Sequence, residues 1–155
     1  MTEVTQESFR SVYRNRNSAL HRSSYMRMCK TYAVHAGLDD AGAGLPANRV
    51  FDFGFGPGNF LWSCPLDCHL SGCEIDPIHV EVFSRALEQR RQKSIDLKVA
   101  AEDSADYGTP FGRDKFDIIV MSHVLEHVEH PVRALRAARG ALSDGGVIVV
   151  VLPIN

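Results

Sequence analysis

The stretch Arg49-Val50-Phe51-Asp52-Phe53-Gly54-Phe55-Gly56-Pro57-Gly58 decides the reading of this chain. A short apolar run passes directly into three glycines at alternate positions, the pattern of a nucleotide-binding turn. Gly54, Gly56 and Gly58 lack a Cβ, so the backbone there can take positive φ and approach a ligand closely, while the start of the following helix offers N–H donors. The spacing is G-x-G-x-G, with Asn59 where a dinucleotide fingerprint would carry its third glycine. Twenty residues after Gly54 an acid, Glu74, closes the next apolar run, Leu70 to Cys73.

Working outward, apolar strand-like runs alternate with amphipathic helical ones, which predicts a parallel sheet with right-handed crossovers. Strands are expected near 49–53, 69–74, 97–101, 117–121 and 146–152. After the second strand, Asp76 caps a helix that has Pro77 in its first turn, Val80, Phe83 and Leu87 on one face, and Glu81 four residues before Arg85. A second helix runs from Pro131 to about Leu142, with Val132, Leu135 and Leu142 inward and Arg133, Arg136 and Arg139 outward. Upstream, Tyr25, Met28, Cys29, Tyr32, Ala33 and Ala36 recur at helical spacing within 19–36, and the glycines and proline of 37–48 mark a connector. The division is therefore 1–48, a helical cap and connector, and 49–155, the core.

Five stretches, in this order, resemble the class I S-adenosylmethionine-dependent methyltransferases over roughly residues 49–153. They are Val50 to Gly58; Gly72-Cys73-Glu74-Ile75-Asp76-Pro77; Ala101-Glu102-Asp103-Ser104; Phe116-Asp117-Ile118-Ile119-Val120 with Ser122-His123-Val124-Leu125-Glu126-His127; and Leu142-Ser143-Asp144-Gly145-Gly146 leading into Val147 to Pro153. The resemblance implies a Rossmann-like three-layer α/β sandwich with strand order 3-2-1-4-5 and S-adenosylmethionine as cofactor. It also implies a binding set of Asp52, Phe53, Gly54, Phe55, Gly56, Gly58, Glu74, Ile75, Asp76, Ser122 and His123. In that family the acid closing the second strand holds the ribose diol, here Glu74, through charge-assisted hydrogen bonds of about 1.5–3 kcal/mol each. Ile75 then lies on an adenine face, and either Glu102 or Asp103 accepts from the adenine amino group.

Rival motifs fit the sequence less well. His123 to His127 matches H-x-x-E-H, a zinc protease signature, but it follows directly on a strand and Pro131 leaves little room for helix. Cys64, Cys68 and Cys73 lack a C-x-x-C pair, and with Cys29 they read as buried thiols, so no metal is expected. The glycine turn holds no serine for a nucleophile elbow and no Gly-Lys-Ser/Thr for a phosphate loop. An NAD-binding protein shares the strand, turn and acid; Asn59 and the later matches favour the sulfonium cofactor.

Composition sets outer limits. The 155 residues are 45% hydrophobic with net charge −2, which suits one globular domain. No stretch is long and apolar enough to span a membrane, and no leader pattern opens the sequence, which reads as cytoplasmic. Arg10, Arg14, Arg16, Arg22, Arg27 and Lys30 form a run with no acid between them, while residues 49–155 carry 11 basic and 15 acidic side chains. A solvated helix face explains that run better than a nucleic-acid surface does.

The function expected is methyl transfer to a small-molecule acceptor, with His123 or His127 as base. The alternative is a non-catalytic cofactor-binding or regulatory protein. The family continues after the fifth strand with a helix and two further strands, whereas this sequence stops at Pro153-Ile154-Asn155, so the expectation is a fragment or a short chain completed by association. The continuous apolar run Gly146 to Leu152 would then form an edge strand through which two copies pair.

Overall fold

The computed structural model describes residues 31–42, 49–100, 107–108 and 110–153. Glu102, Asp103, Cys29 and the basic run Arg10 to Lys30 lie outside them. Helix α1 covers residues 31–40. It is followed by β1 (Arg49–Phe53), α2 (Asn59–Ser63), β2 (His69–Glu74), α3 (Pro77–Gln89), β3 (Ser94–Val99), β4 (Phe116–Ser122), α4 (Pro131–Gly140) and β5 (Leu142–Val151). All neighbouring strands pair in parallel, in the order β3-β2-β1-β4-β5.

Strand alternation divides the core into two layers. Val50, Leu70, Ile118, Val120 and Val149 face Val34, Leu38, Phe60, Leu61, Phe83 and Leu87 from α1, α2 and α3. Phe51, Phe53, Cys73, Ile119 and Met121 point the other way, onto Phe111, Leu125 and the Ala134/Ala138 pair of α4. The result is the expected Rossmann-like α/β sandwich. Helix α3 forms as its sequence dictates: Asp76 Oδ1 accepts from the Ile78 N–H at 2.9 Å, Pro77 occupies the first turn, and Arg85 reaches Glu81 at 2.6 Å.

Several boundaries differ from expectation. Strand β3 starts at Ser94 because Ile95 and Leu97 alternate with Asp96 and Lys98, which pair with each other at 2.9 Å on the exposed side. In α4 the inward residues are Ala134 and Ala138, with Leu135 partly buried, while Val132 is 60% exposed; Leu142 already belongs to β5. Pro131 fixes where that helix begins, and the phase that follows turns Val132 outward. Helix α1 continues past Ala36, and Gly37 packs inside it, where a Cβ would sit 3.0 Å from Val149 Cγ1. Its buried residues are Val34 and Leu38, whereas Tyr32 is exposed.

Strand β5 starts earlier than the apolar run suggests and takes up extra chain against β4: Phe116 faces Leu142 while Ile118 already faces Val147. Ser143 Oγ secures this irregularity, bonding the Phe116 carbonyl at 3.0 Å and Asp117 Oδ1 at 2.7 Å. Cys64, Cys68 and Cys73 are unbridged and buried, and burial pushes the Cys64 and Cys73 thiols up to about 12.

Candidate functional site

A cavity of about 440 Å³ opens at the C-terminal ends of β1, β2 and β4, beside the point where the order of strands reverses. Doubly wound sheets bind ligands at such a point. The turn after β1 is tied to β2 by the Gly54 and Phe55 N–H groups, which donate to the Cys73 carbonyl at 2.9 and 3.3 Å. Gly54, Gly56 and Gly58 have φ of 71°, 53° and 75°. At Gly58 a side chain is excluded by packing, since a Cβ would lie 2.4 Å from the Phe83 ring. At Gly56 nothing lies within 4 Å of that position, so the turn leaves open space there.

Glu74 completes the turn. Its carboxylate accepts from the Gly56 N–H at 2.7 Å and from the Ile75 N–H at 2.8 Å, so the acid ending β2 and the glycines ending β1 form one hydrogen-bonded unit. Asp52, the last-but-one residue of β1, also faces the cavity and is only 4% exposed. Burial, followed by the nearby charge of Glu74, raises its carboxyl pKa to about 8. At the end of β4, Ser122 Oγ is buried without a hydrogen-bond partner among the described residues. His123 has a left-handed backbone, φ 54°, held by its N–H donating to the Val151 carbonyl at 2.8 Å.

The structure brings Asp52, Gly54, Phe55, Gly56, Glu74, Ser122 and His123 together around this cavity. Others among the expected residues stand elsewhere. Phe53 lies in the opposite core layer, one residue along the strand from Asp52. Gly58 caps α2, Asp76 caps α3, and Ile75 is 54% exposed next to Glu74. His127 has a side chain 76% exposed and does not line the cavity, whereas His123 is 16% exposed and its Nδ1 lies 3.5 Å from Glu126 Oε1. Residues 125–127 form a turn and 123–128 no helix, so the two histidines are not the stacked i, i+4 pair of a zinc-binding helix. Among the described residues no group of three potential metal ligands occurs, and no helix is long and apolar enough to cross a membrane.

The cavity also contains residues that motif reading passed over. Thr31 and Val34 come from α1, Phe60 from α2, and His79 from the first turn of α3, 3.8 Å from Asp76. Only His79 left a local signal, a histidine three residues after a capping aspartate.

A fold of this topology with a glycine turn locked to an acid at the next strand end defines a cofactor-binding α/β domain. The methyltransferase domain family matches residues 51–148, and the chain belongs to it. It is 30% identical over 112 residues to an uncharacterised 37.1 kDa protein in transposon TN4556 of Streptomyces fradiae, an alignment covering 72% of this chain and 32% of that one. The chain thus spans about a third of the length of this relative. Among solved structures it is similar to coclaurine N-methyltransferase bound to N-methylheliamine and SAH, with TM-score 0.64, 15% identity, and coverage of 78% of this chain and 35% of the other. It is similar also to the [4+2]-cyclase SpnF, with TM-score 0.61, 18% identity, and coverage of 77% and 43%.

Proposed function

We propose that the chain binds S-adenosylmethionine in this cavity and transfers its methyl group to a small-molecule acceptor. The observation that carries the reading is the unit formed by Glu74 and the glycine turn, which puts a fixed carboxylate beside open space over Gly56. That is the position the family resemblance gives to the ribose ligand. Charge supports the same cofactor. Among the described lining residues are two acids, Glu74 and Asp52, the second held largely protonated at neutral pH by burial, and no lysine or arginine. Such a wall favours a cationic ligand and opposes the diphosphate of a dinucleotide.

When bound, the cofactor supplies a methyl group made electrophilic by its sulfonium. The chain's part is to hold an acceptor in line with that methyl, and positioning of this kind lowers a barrier by about 7–11 kcal/mol. His123, set at the cavity wall with Nδ1 toward Glu126, takes the proton that an oxygen or nitrogen acceptor loses as its new bond to carbon forms. The Glu126 carboxylate then balances the imidazolium.

Calorimetry with S-adenosylmethionine and NAD tests the reading. The first should bind and the second should not. Gly56→Val should remove binding, because the added branch fills the open space over the turn; valine also strains a backbone of φ 53°, so circular dichroism of the variant is compared with the parent chain, and loss of binding counts in a variant that is folded. Undiminished affinity in that variant, or preference for NAD, would overturn the assignment. The same fold also carries a [4+2]-cyclase, and chemistry belongs to sites rather than folds, so cofactor binding without transfer is the second reading. Turnover across a panel of hydroxyl and amine acceptors separates the two.

A further inference from the structure

Three residues of the cavity wall come from the two helices on either side of β1 in the chain: Thr31 and Val34 from α1, and Phe60 from α2. His35, one turn after Thr31 on the same face of α1, ties these helices together. Its Nε2 lies 2.8 Å from Ser63 Oγ, and its ring packs tilted against the Phe60 ring with centroids 5.6 Å apart. Ser63 Oγ in turn donates to the Phe60 carbonyl at 2.6 Å. That carbonyl is a helix-end group in need of a donor, because the Cys64 N–H goes to the Leu61 carbonyl instead; besides Ser63, the Cys64 thiol reaches it at 3.5 Å. A serine hydroxyl has one hydrogen, and the Phe60 carbonyl takes it. The hydrogen of the other bond therefore sits on His35 Nε2, which makes His35 the donor to Ser63.

We propose that His35 is a positioning residue for the cofactor: through Ser63 and the Phe60 ring it locks α1 to α2, and so sets where Thr31, Val34 and Phe60 stand in the cavity wall. The inference rests on the cofactor reading above. Helix α2 has five residues, and a helix that short takes its place from tertiary contacts rather than from its own stability. Helix α1 is held to the sheet by Val34 and Leu38 and by Gly37 against Val149, contacts that are apolar and non-directional. Such packing fixes how deep the helix lies better than how far along it sits. A hydrogen bond has a narrow range of distance and angle, and the one from His35 supplies that missing register. Neither His35 nor Ser63 lines the cavity, so both act through Phe60 and α1.

The experiment is calorimetric titration of S-adenosylmethionine into the full-length chain and into His35→Ala, His35→Gln, Ser63→Ala and the double variant His35→Ala/Ser63→Ala. Urea denaturation of each gives its stability and shows that it is folded where binding is measured. His35→Ala and Ser63→Ala should each weaken binding by about three- to tenfold, the range of one hydrogen bond of this kind. Glutamine carries an amide nitrogen close to where Nε2 stands and can donate to Ser63, so His35→Gln should bind within about twofold of the parent. The double variant should bind no more weakly than the weaker single one, because both substitutions break the same link. Ser63 is exposed, so Ser63→Ala tests the link even if His35→Ala fails to fold. If His35 served packing alone, the single variants would lose stability with affinity unchanged, or their losses of affinity would multiply in the double variant. Either result, or a His35→Gln as weak as His35→Ala, would overturn the proposal while the parent chain still binds. Failure of the parent to bind would overturn the cofactor reading, and this inference with it.

Discussion

Replacing Asp52 by asparagine should make the empty protein more stable, by an amount that depends on pH. The folded-state pKa of Asp52 is raised from 3.8 to about 8, first by burial and then by the charge of Glu74. Below the lower value the carboxyl is protonated whether the chain is folded or unfolded, and it costs nothing extra. Between the two values only the unfolded chain ionises, so stability falls as pH rises; above about 8 both states are ionised and the loss levels off. Each pH unit in that window is about 1.4 kcal/mol, which makes the loss at pH 7 roughly 4 kcal/mol against typical domain stabilities of about 5–15 kcal/mol. Asparagine has the same shape and does not titrate. Its absolute gain is offset by its own buried amide, so the slope is the quantity to read: the advantage of Asp52→Asn should grow by about 3 kcal/mol between pH 5 and pH 7. Urea denaturation of both proteins across pH 5–9, without ligand, measures it. A difference between them that stays constant to within about 0.5 kcal/mol would refute the reasoning, since it would mean that Asp52 titrates in the folded chain as it does in the unfolded one.

Glu74→Ala should weaken S-adenosylmethionine binding by about 1.5–3 kcal/mol in calorimetry and loosen the glycine turn as well, because the same carboxylate holds the Gly56 N–H; a loss under about 0.5 kcal/mol would show that Glu74 shapes the turn without holding the ribose. Gln92→Leu should cost about 1–3 kcal/mol in denaturant while sparing ligand affinity, since the Gln92 side-chain amide donates to the carbonyls of Pro65, Leu66 and Cys68, none of which lines the cavity. Unchanged stability would show that water serves those carbonyls as well. Among the described strands β5 is a sheet edge, with Val150 39% exposed, and we propose that it pairs with a second copy; light scattering at tens of micromolar should show a dimer, and a stable monomer would count against it.

What the sequence made legible was whatever a few adjacent residues determine. Alternate glycines after an apolar run are enough to predict a turn of positive φ, and Asp76-Pro77 is enough to start α3. The strand order came instead from the family resemblance, and the pairing agrees with it. Where contacts come from distant parts of the chain, local reading failed. Gly37 looks like the end of a helix, yet it lies within one because Val149, more than a hundred residues away, needs that space. Val34 reaches the cavity from α1 and falls outside the Tyr/Met stripe by which that helix was recognised. Val132 looks like a core residue until the start at Pro131 sets the helical phase.

Asp52 shows the same boundary within a single residue. Its membership of the site follows from its position two residues before Gly54, but its charge does not, because that depends on burial between β2 and β4 and on Glu74 across the strand. A pattern of letters specifies a carboxyl group; only the assembled sheet specifies how readily it ionises.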